Sequence, residues 1–146
     1  MNGKPDIAIA SDHTGVDLKL HLVKFLLKRG HNVTDMGVRR KTKVDYPDYA
    51  KKVARAVADE EVPLGILICG SGIGMSIVAN RYRGVRAALV HDHYTTRMAK
   101  AHNNANILCL GARMLAKEYA EELVETWLST EFEGARHQHR LDKIDD

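Results

Sequence analysis

The residues of this sequence with the clearest chemical potential form one short segment. An apolar run at residues 66–68 is followed directly by Cys69, and glycine then occupies every second position as Gly70, Gly72 and Gly74. A run without polar alternation is typical of a strand buried on both faces. The glycines allow a sharp turn whose backbone N–H groups can approach a ligand closely. The segment therefore predicts a strand, a turn and a helix start that form an anion or oxyanion site, with a thiol at its edge.

Two other interpretations of this segment have to be weighed. The same residues suit a plain strand-to-helix turn in which Cys69 only fills space. Dinucleotide binding is disfavoured, because the glycine spacing is G-x-G-x-G rather than G-x-G-x-x-G and the turn is not the first in the chain. No G-x-x-x-x-G-K-[S/T] phosphate loop occurs. The anion site and the plain turn both remain open on the glycines alone.

Polar residues also follow the other predicted strands. Asp12 and His13 come directly after the first strand, residues 91–93 (His-Asp-His) follow the fourth, and Gly111 and Arg113 follow the fifth. Ligands of parallel α/β sheets bind outside the carboxyl ends of the strands, so we expect one crevice to collect most of these residues. Taken singly, Asp12 and His13 also suit an ordinary helix cap and a surface imidazole.

The sequence predicts no metal site and no disulfide. His91 and His93 lack a third ligand at a fitting spacing. Cys69 and Cys109 lie 40 positions apart, which is neither a disulfide framework nor a zinc spacing. A reducing cytoplasm therefore fits best. Cys109 stands between two leucines and is expected to be the less reactive thiol.

Three arginines are candidate anion contacts. Arg113 lies beside a glycine turn, which suits a phosphate. Arg136 and Arg140 are four residues apart on one predicted helix face, where like charges repel unless an anion lies between them. His102 and Asn103 close another predicted helix, although both are also common helix C-terminal residues.

Strands and helices alternate along the chain. Strands are predicted at 7–10, 31–35, 66–68, 85–90 and 107–110. Helices are predicted at 16–29, from a cap at Asp45 to 58, from 75 onward, at 94–102, across the stripe 120–128 and in the polar tail 133–146. The inward stripe of the first helix is predicted as Val16, Leu20, Val23 and Leu27, widened by Leu22 and Leu26. This order predicts a single-domain α/β fold: a doubly wound, Rossmann-like parallel five-stranded sheet flanked by helices, with a C-terminal helix.

The composition bounds the class of protein. A chain of 146 residues suits one domain, here 1–146, and 45% hydrophobic with 28% charged residues is ordinary for a globular protein. The net charge of +3 is too mild to imply a nucleic-acid partner. No window approaches 18 continuous apolar residues, and residues 1–6 have no apolar core of a signal peptide. We therefore expect a cytoplasmic protein with neither a nucleic-acid nor a membrane partner.

Several ordered motifs together resemble one family, the type B ribose-5-phosphate isomerases and their galactose-6-phosphate isomerase relatives. The resemblance covers nearly the whole chain. The motifs are Ser11-Asp12-His13-x-Gly15, Asp45-Tyr46-Pro47, Cys69-Gly70-Ser71-Gly72-Ile73-Gly74, Ala79-Asn80-Arg81, His102-Asn103-x-x-Asn106, Gly111-x-Arg113 and Gly134-x-Arg136-His137-x-x-Arg140.

The resemblance implies a cofactor-free aldose–ketose isomerase that acts on a sugar phosphate through an enediol. Cys69 would be the base that moves the proton between C2 and C1. His102 would open the furanose ring. Ser71 would hold the developing enediolate together with the amides of residues 70–74, and Asp12 would orient the sugar.

The resemblance also implies the remaining contacts and the assembly. The phosphate would be bound by His13, Arg113, Arg136 and Arg140, with the last two supplied by the second subunit of a homodimer. A dimer of dimers is a further assembly that it allows. The full set of expected substrate-binding residues is Asp12, His13, Tyr46, Gly70, Gly72, Ile73, Gly74, Asn103, Arg113, Arg136 and Arg140.

Two departures from the family pattern bear on these roles. Many relatives carry Thr where Ser71 stands, and the hydroxyl is kept. Another branch uses a Glu as base at the position of Met75, which cannot take a proton, so the base here must be Cys69. The preferred reaction is expected to be D-ribose 5-phosphate to D-ribulose 5-phosphate. The alternatives are a hexose-phosphate isomerase (allose 6-phosphate or galactose 6-phosphate), a non-catalytic phosphosugar-binding module and a nicotinamide-dependent enzyme.

Overall fold

The sheet matches the predicted fold class. The computed structural model describes residues 3–146, so the first two positions of the predicted domain lie outside the described residues. Five parallel strands lie in the order β2-β1-β3-β5-β4. Their bounds are β1 Ile7–Ser11, β2 Val33–Asp35, β3 Leu64–Cys69, β4 Ala87–Leu89 and β5 Ile107–Gly111. The edge strands β2 and β4 are shorter than predicted, because each forms only three residue pairs with its single neighbour.

The described residues form six α-helices, of which the first five cover the two faces of the sheet. Their bounds are α1 Val16–Lys28, α2 Tyr46–Ala58, α3 Ile73–Ala79, α4 His93–Ala101, α5 Lys117–Ser129 and α6 Arg136–Leu141, and a 3₁₀ turn at His13–Gly15 precedes α1. Buried residues of α1, α4 and α5 share one core, and those of α2 and α3 share the other. Among the described residues, no helix has the length and apolar content needed to span a membrane.

Alternation along the central strands divides the core between the two faces. In β1, Ile7 and Ile9 face α1 and α5, whereas Ala8 and Ala10 face α2 and α3. In β3, Cys69 belongs to the α2 and α3 side, at the last position of the strand. A side chain at that position lies at the edge of the core and can reach a ligand outside the sheet.

The predicted inward stripe of α1 is wrong at two positions. Val16, Leu22 and Leu26 are buried as predicted, whereas Leu20 and Leu27 are 44% and 54% exposed and Leu18 is buried instead. Apolar residues cover most of this helix, so periodicity alone allowed more than one inward face. The buried side of the helix also holds a lysine, Lys19, whose Nζ lies 2.6 Å from Asp35 Oδ2 at the end of β2.

This rotation of α1 predicts a difference between two leucines. Leu22→Ala is expected to lower the free energy of unfolding by about 2–5 kcal/mol, because it leaves a cavity in the closed core. Leu27→Ala, on the exposed side of the same helix, is the matched control and should lower it by less than about 1 kcal/mol. Urea denaturation of both variants measures the difference. Equal losses would contradict the observed face.

Candidate active site

The first group of predicted site residues lies at the point where the sheet topology reverses. The chain leaves β1 toward β2 on one side, while β3 lies on the other side of β1. Asp12 follows β1, Cys69 ends β3, and Arg113 follows β5, the next neighbour of β3. The crevice at such a reversal is the usual ligand site of open α/β sheets. The structure thus brings together the residues that follow three central strands.

The thiol of Cys69 lies inside the glycine turn. Its Sγ accepts a hydrogen bond from the N–H of Gly72 at 3.1 Å, and the residue is 6% exposed. Gly72 has a φ of +82°, and a Cβ there would lie 2.6 Å from Leu89 Cδ1 and 3.0 Å from the backbone of Leu110. Only glycine fits this position without displacement. The turn therefore fixes an amide donor on the sulfur.

Ser71 and Tyr46 complete the surroundings of this turn. Ser71 Oγ accepts a hydrogen bond from the N–H of Ile73 at 3.2 Å, at the start of the seven-residue helix α3. A Cβ on Gly74 would lie 2.4 Å from Cε1 of Tyr46, so the tyrosine ring lies against the helix at this glycine. Tyr46 begins α2 and is 39% exposed. Its phenol group is thereby held next to the turn.

Cationic and donor groups flank the thiol. The guanidinium of Arg113 lies beside Gly70, where a Cβ would be 3.4 Å from Nη1. His13 Nδ1 accepts a hydrogen bond from the N–H of Val44 at 3.2 Å, which leaves the proton of the neutral ring on Nε2. The Val44 amide was not among the predicted site residues. A backbone group carries no sequence signal, so only the structure could identify it.

Asp12 caps the turn that follows β1, one of the two roles that the sequence allowed. Its Oδ1 accepts hydrogen bonds from the N–H of Thr14 at 2.9 Å and from the Thr14 hydroxyl at 2.5 Å, which caps the 3₁₀ turn. Its backbone N–H donates to the carbonyl of Ile68 at 3.1 Å, so Asp12 is tied to β3. The residue is 7% exposed. Its carboxylate is thus fixed near the turn that holds Cys69.

His102 and Asn103 lie at the opposite edge of the sheet. They follow α4, and the carbonyl of Asn103 accepts a hydrogen bond from Nε of Arg86, which directly precedes β4. The backbone N–H of Asn106, just before β5, donates to the Arg86 carbonyl. Five residues of β5 separate this edge from the carboxyl end, about 16 Å at 3.3 Å per residue. His102 and Cys69 of one chain therefore cannot contact the same small sugar.

The C-terminal segment joins His102 at this second edge. The rings of His102 and His137 are stacked, with centroids 4.1 Å apart and planes 14° apart. Glu133 Oε1 lies 3.7 Å from His102 Nε2 and 3.4 Å from His137 Nε2. Arg136 and Arg140 lie on the same short helix, α6, and both are exposed. The predicted residues thus form two groups, one at each edge of the sheet.

One cluster of metal-ligating residue types occurs in the described chain. His102, Glu133 and His137 each place a ligand atom within 4.8 Å of the others. The two rings are nearly parallel, so their nitrogen lone pairs do not converge on one point as a metal requires. His93 uses its two ring nitrogens on Thr126 and Glu122 of α5. The absence of a metal site stays a prediction.

The second cysteine, Cys109, is buried within the sheet. Cys109 is fully buried, and burial, followed by the nearby Cys69, raises the pKa of the Cys109 thiol well above its usual range. A thiol of this kind stays protonated at neutral pH and cannot act as a base.

The fold and the residues at the carboxyl edge define a class: a doubly wound α/β protein with a thiol, a hydroxyl and an arginine at its switch point. The chain belongs to the ribose/galactose isomerase family, whose profile matches residues 7–144. It is 44% identical over 138 residues to ribose-5-phosphate isomerase B of Escherichia coli, covering 94% of this chain and 93% of that protein.

Solved structures of the same family superpose closely on this chain. A ribose 5-phosphate isomerase of Thermotoga maritima is 51% identical, with a TM-score of 0.94 and 97% of each chain covered. Ribose-5-phosphate isomerase B of Mycoplasma genitalium, solved with bound ribulose-5-phosphate, is 44% identical, with a TM-score of 0.92. The match covers 95% of this chain and 93% of that one.

Proposed function

We propose that this protein interconverts D-ribose 5-phosphate and D-ribulose 5-phosphate as an aldose–ketose isomerase, with residues 1–146 as one catalytic domain. The observation that carries the proposal is the Cys69 thiol at the switch point, with the Gly72 N–H on its sulfur and Arg113 beside the turn. A base, amide donors and a cation within one crevice suit proton transfer on a phosphorylated sugar. Membership in the ribose/galactose isomerase family supports the same reaction.

Ring opening is the first step of the proposed reaction. His102 donates a proton to the ring oxygen as the C1–O4 bond breaks, and the electron pair of that bond stays on the oxygen. The hydroxyl at C1 loses its proton to water, so the aldehyde forms with no net change in protons. Asp12 and Asn103 orient the sugar during this step.

Isomerisation is the second step. The Cys69 thiolate takes the proton from C2, and the electrons of that bond form the C1–C2 double bond while the aldehyde oxygen becomes an enediolate oxygen. Ser71 and the amides of residues 70–74 hold this charge, and each such donor is worth roughly 3–4 kcal/mol in other enzymes. Cys69 then returns a proton to C1, while the O2 hydroxyl proton passes to O1 to complete the ketose. No cofactor is needed for this chemistry.

The proposed site is shared between two subunits of a homodimer. Cys69 and His102 lie at opposite edges of the sheet, about 16 Å apart along the strand direction. A pentose has only four carbon–carbon bonds of about 1.5 Å each. A second copy that places its edge with His102, Arg136 and Arg140 over the turn of Cys69 would complete the site. Two-fold symmetry then gives two equal sites per dimer.

In this arrangement the phosphate is bound from both chains. His13 and Arg113 of one subunit and Arg136 and Arg140 of its partner surround it. The i, i+4 pair on α6 then has an anion between its two charges, which removes the repulsion that the sequence alone left unexplained. A cytoplasmic location is part of the same proposal, since the substrate is a phosphorylated metabolite and both cysteines are free.

The substrate choice can be tested with three sugar phosphates on one preparation. A phosphate fixed by several groups places C2 at a set distance from Cys69, and one added carbon displaces it. Misplacement of about 1 Å can cost on the order of a hundredfold in rate. We expect kcat/KM for ribose 5-phosphate to exceed that for allose 6-phosphate and galactose 6-phosphate by about that factor. A hexose phosphate that equals the pentose would overturn the substrate choice and leave the isomerase proposal standing.

A further inference from the structure

His102 stands in a cluster that no part of the proposed reaction explains. The ring of His137 is stacked on it at 4.1 Å, and one carboxylate oxygen of Glu133 lies within 4 Å of Nε2 of both rings. A backbone hydrogen bond holds Glu133 at this position, because its N–H donates to the carbonyl of Ala101, the residue before His102. The C-terminal segment is thus attached to the end of α4 at the position where His102 projects.

His137 is the least expected member of the cluster. It is 5% exposed, and its Nε2 makes no hydrogen bond within residues 3–146. Burial, together with the charges of His102 and Arg136, lowers the pKa of His137, and Glu133 only partly opposes this. These effects favour the neutral form of the His137 ring. The two rings are stacked with their centroids 4.1 Å apart, so a positive charge on one ring disfavours a positive charge on the other.

We propose that Glu133 and His137 are positioning residues for His102: the stacked ring fixes the plane of His102, and the carboxylate at ion-pair distance fixes the direction of its Nε2. The inference rests on the proposed role of His102 in ring opening. A ring held in one orientation can present its proton to the sugar ring oxygen, as proton donation in ring opening requires.

The other charged groups near His102 are cations, and two of them bind other parts of the chain. Arg136 and Arg140 on α6 are cations that raise the local potential. Lys100 on α4 lies over the Trp127 ring and donates to its carbonyl. Arg86 binds the carbonyls of Asn103 and Asn104. Within residues 3–146, Glu133 is the one carboxylate at ion-pair distance from His102.

The experiment separates ring opening from the proton transfer at Cys69. Ribulose 5-phosphate has no furanose ring, so exchange of its C1 hydrogen with deuterated water needs Cys69 but no ring step. For Glu133→Gln we expect kcat with ribose 5-phosphate to fall by about tenfold, with KM changed less than about twofold and the exchange rate unchanged.

Two substitutions of His137 test the stacking contact. His137→Phe, which keeps a stacked ring, should lose less of its kcat than His137→Asn. Glu131→Gln, a nearby exposed carboxylate outside the cluster, is the control and should match the wild type.

A double-substitution cycle decides whether the effect passes through His102. In a His102→Asn background, Glu133→Gln should lower kcat no further, because the group it serves is gone. Equal losses in turnover and in exchange, or additive losses in the cycle, would show a merely structural role and overturn the inference. If Glu133→Gln has no effect while His102→Asn is slow, only this inference fails. If His102→Asn is as fast as the wild type, the proposed role of His102 fails first and the inference with it.

Discussion

Cys69→Ala is expected to lower kcat for ribose 5-phosphate by about 10²–10⁴-fold, because a positioned general base contributes that much. Cys69 is the last residue of β3, and its Sγ is held by the Gly72 amide. Met75, the nearby position where a carboxylate could stand, has no proton-accepting group. No neighbouring side chain of the turn can therefore replace the thiolate. Steady-state kinetics with the purified variant measures the loss.

Two further variants test whether the loss of turnover comes from the missing base at Cys69. Cys69→Ser keeps the size of the side chain and should be as slow as Cys69→Ala, because a serine hydroxyl is a far weaker base at neutral pH. Cys109→Ala removes the other thiol, which is fully buried, and should keep near-normal turnover. A Cys69→Ala enzyme with near-normal kcat, or a Cys109→Ala enzyme that loses it, would refute the assignment of the base.

Mixing two inactive variants is expected to restore activity. Cys69→Ala supplies intact arginines, and Arg136→Ala/Arg140→Ala supplies an intact thiol. In a mixed dimer one site combines both defects and the other combines neither. After full random exchange, half of the dimers are mixed and each has one good site, so about a quarter of the wild-type activity should appear.

The control for this experiment is the exchange itself. Subunits carrying different tags should first be shown to form mixed dimers, and each variant alone should stay inactive under the same conditions. Absence of recovery despite proven exchange would mean that each site is built within one chain. It would contradict the proposal that Cys69 and His102, which lie at opposite edges of the sheet in one chain, act together in a shared site.

The sheet and the glycine turn after Cys69 were predictable because short local sequence patterns encode them. Short apolar runs that end in Cys69 or in Asp12 indicate parallel strands with polar carboxyl ends, and the structure places both residues at the switch point. The rotation of α1 was not predictable, since its apolar residues cover most of the helix. The observed face carries the buried ion pair of Lys19 and Asp35, a contact between residues 16 positions apart that helical periodicity does not encode.

The division of the site between two edges was also only partly foreseen. The family resemblance implied that Arg136 and Arg140 come from a second subunit, but it gave no such indication for His102. Its place follows from the direction of α4, which carries the chain back from the carboxyl edge of β4 to the amino edge of β5. The amide of Val44 on His13 and the ring of His137 on His102 depend on tertiary contacts that no local pattern encodes.

The central claim is that Cys69 moves a proton between C2 and C1 of ribose 5-phosphate, and isotope incorporation tests it most directly. The wild-type protein and Cys69→Ala are each incubated with ribose 5-phosphate in deuterated water, and the sugars are examined by NMR. We expect the wild type to form ribulose 5-phosphate with deuterium at C1, and Cys69→Ala to form neither product nor label at a comparable rate. Conversion without any deuterium, as in a direct hydride shift, or equal labelling by both proteins would contradict the account.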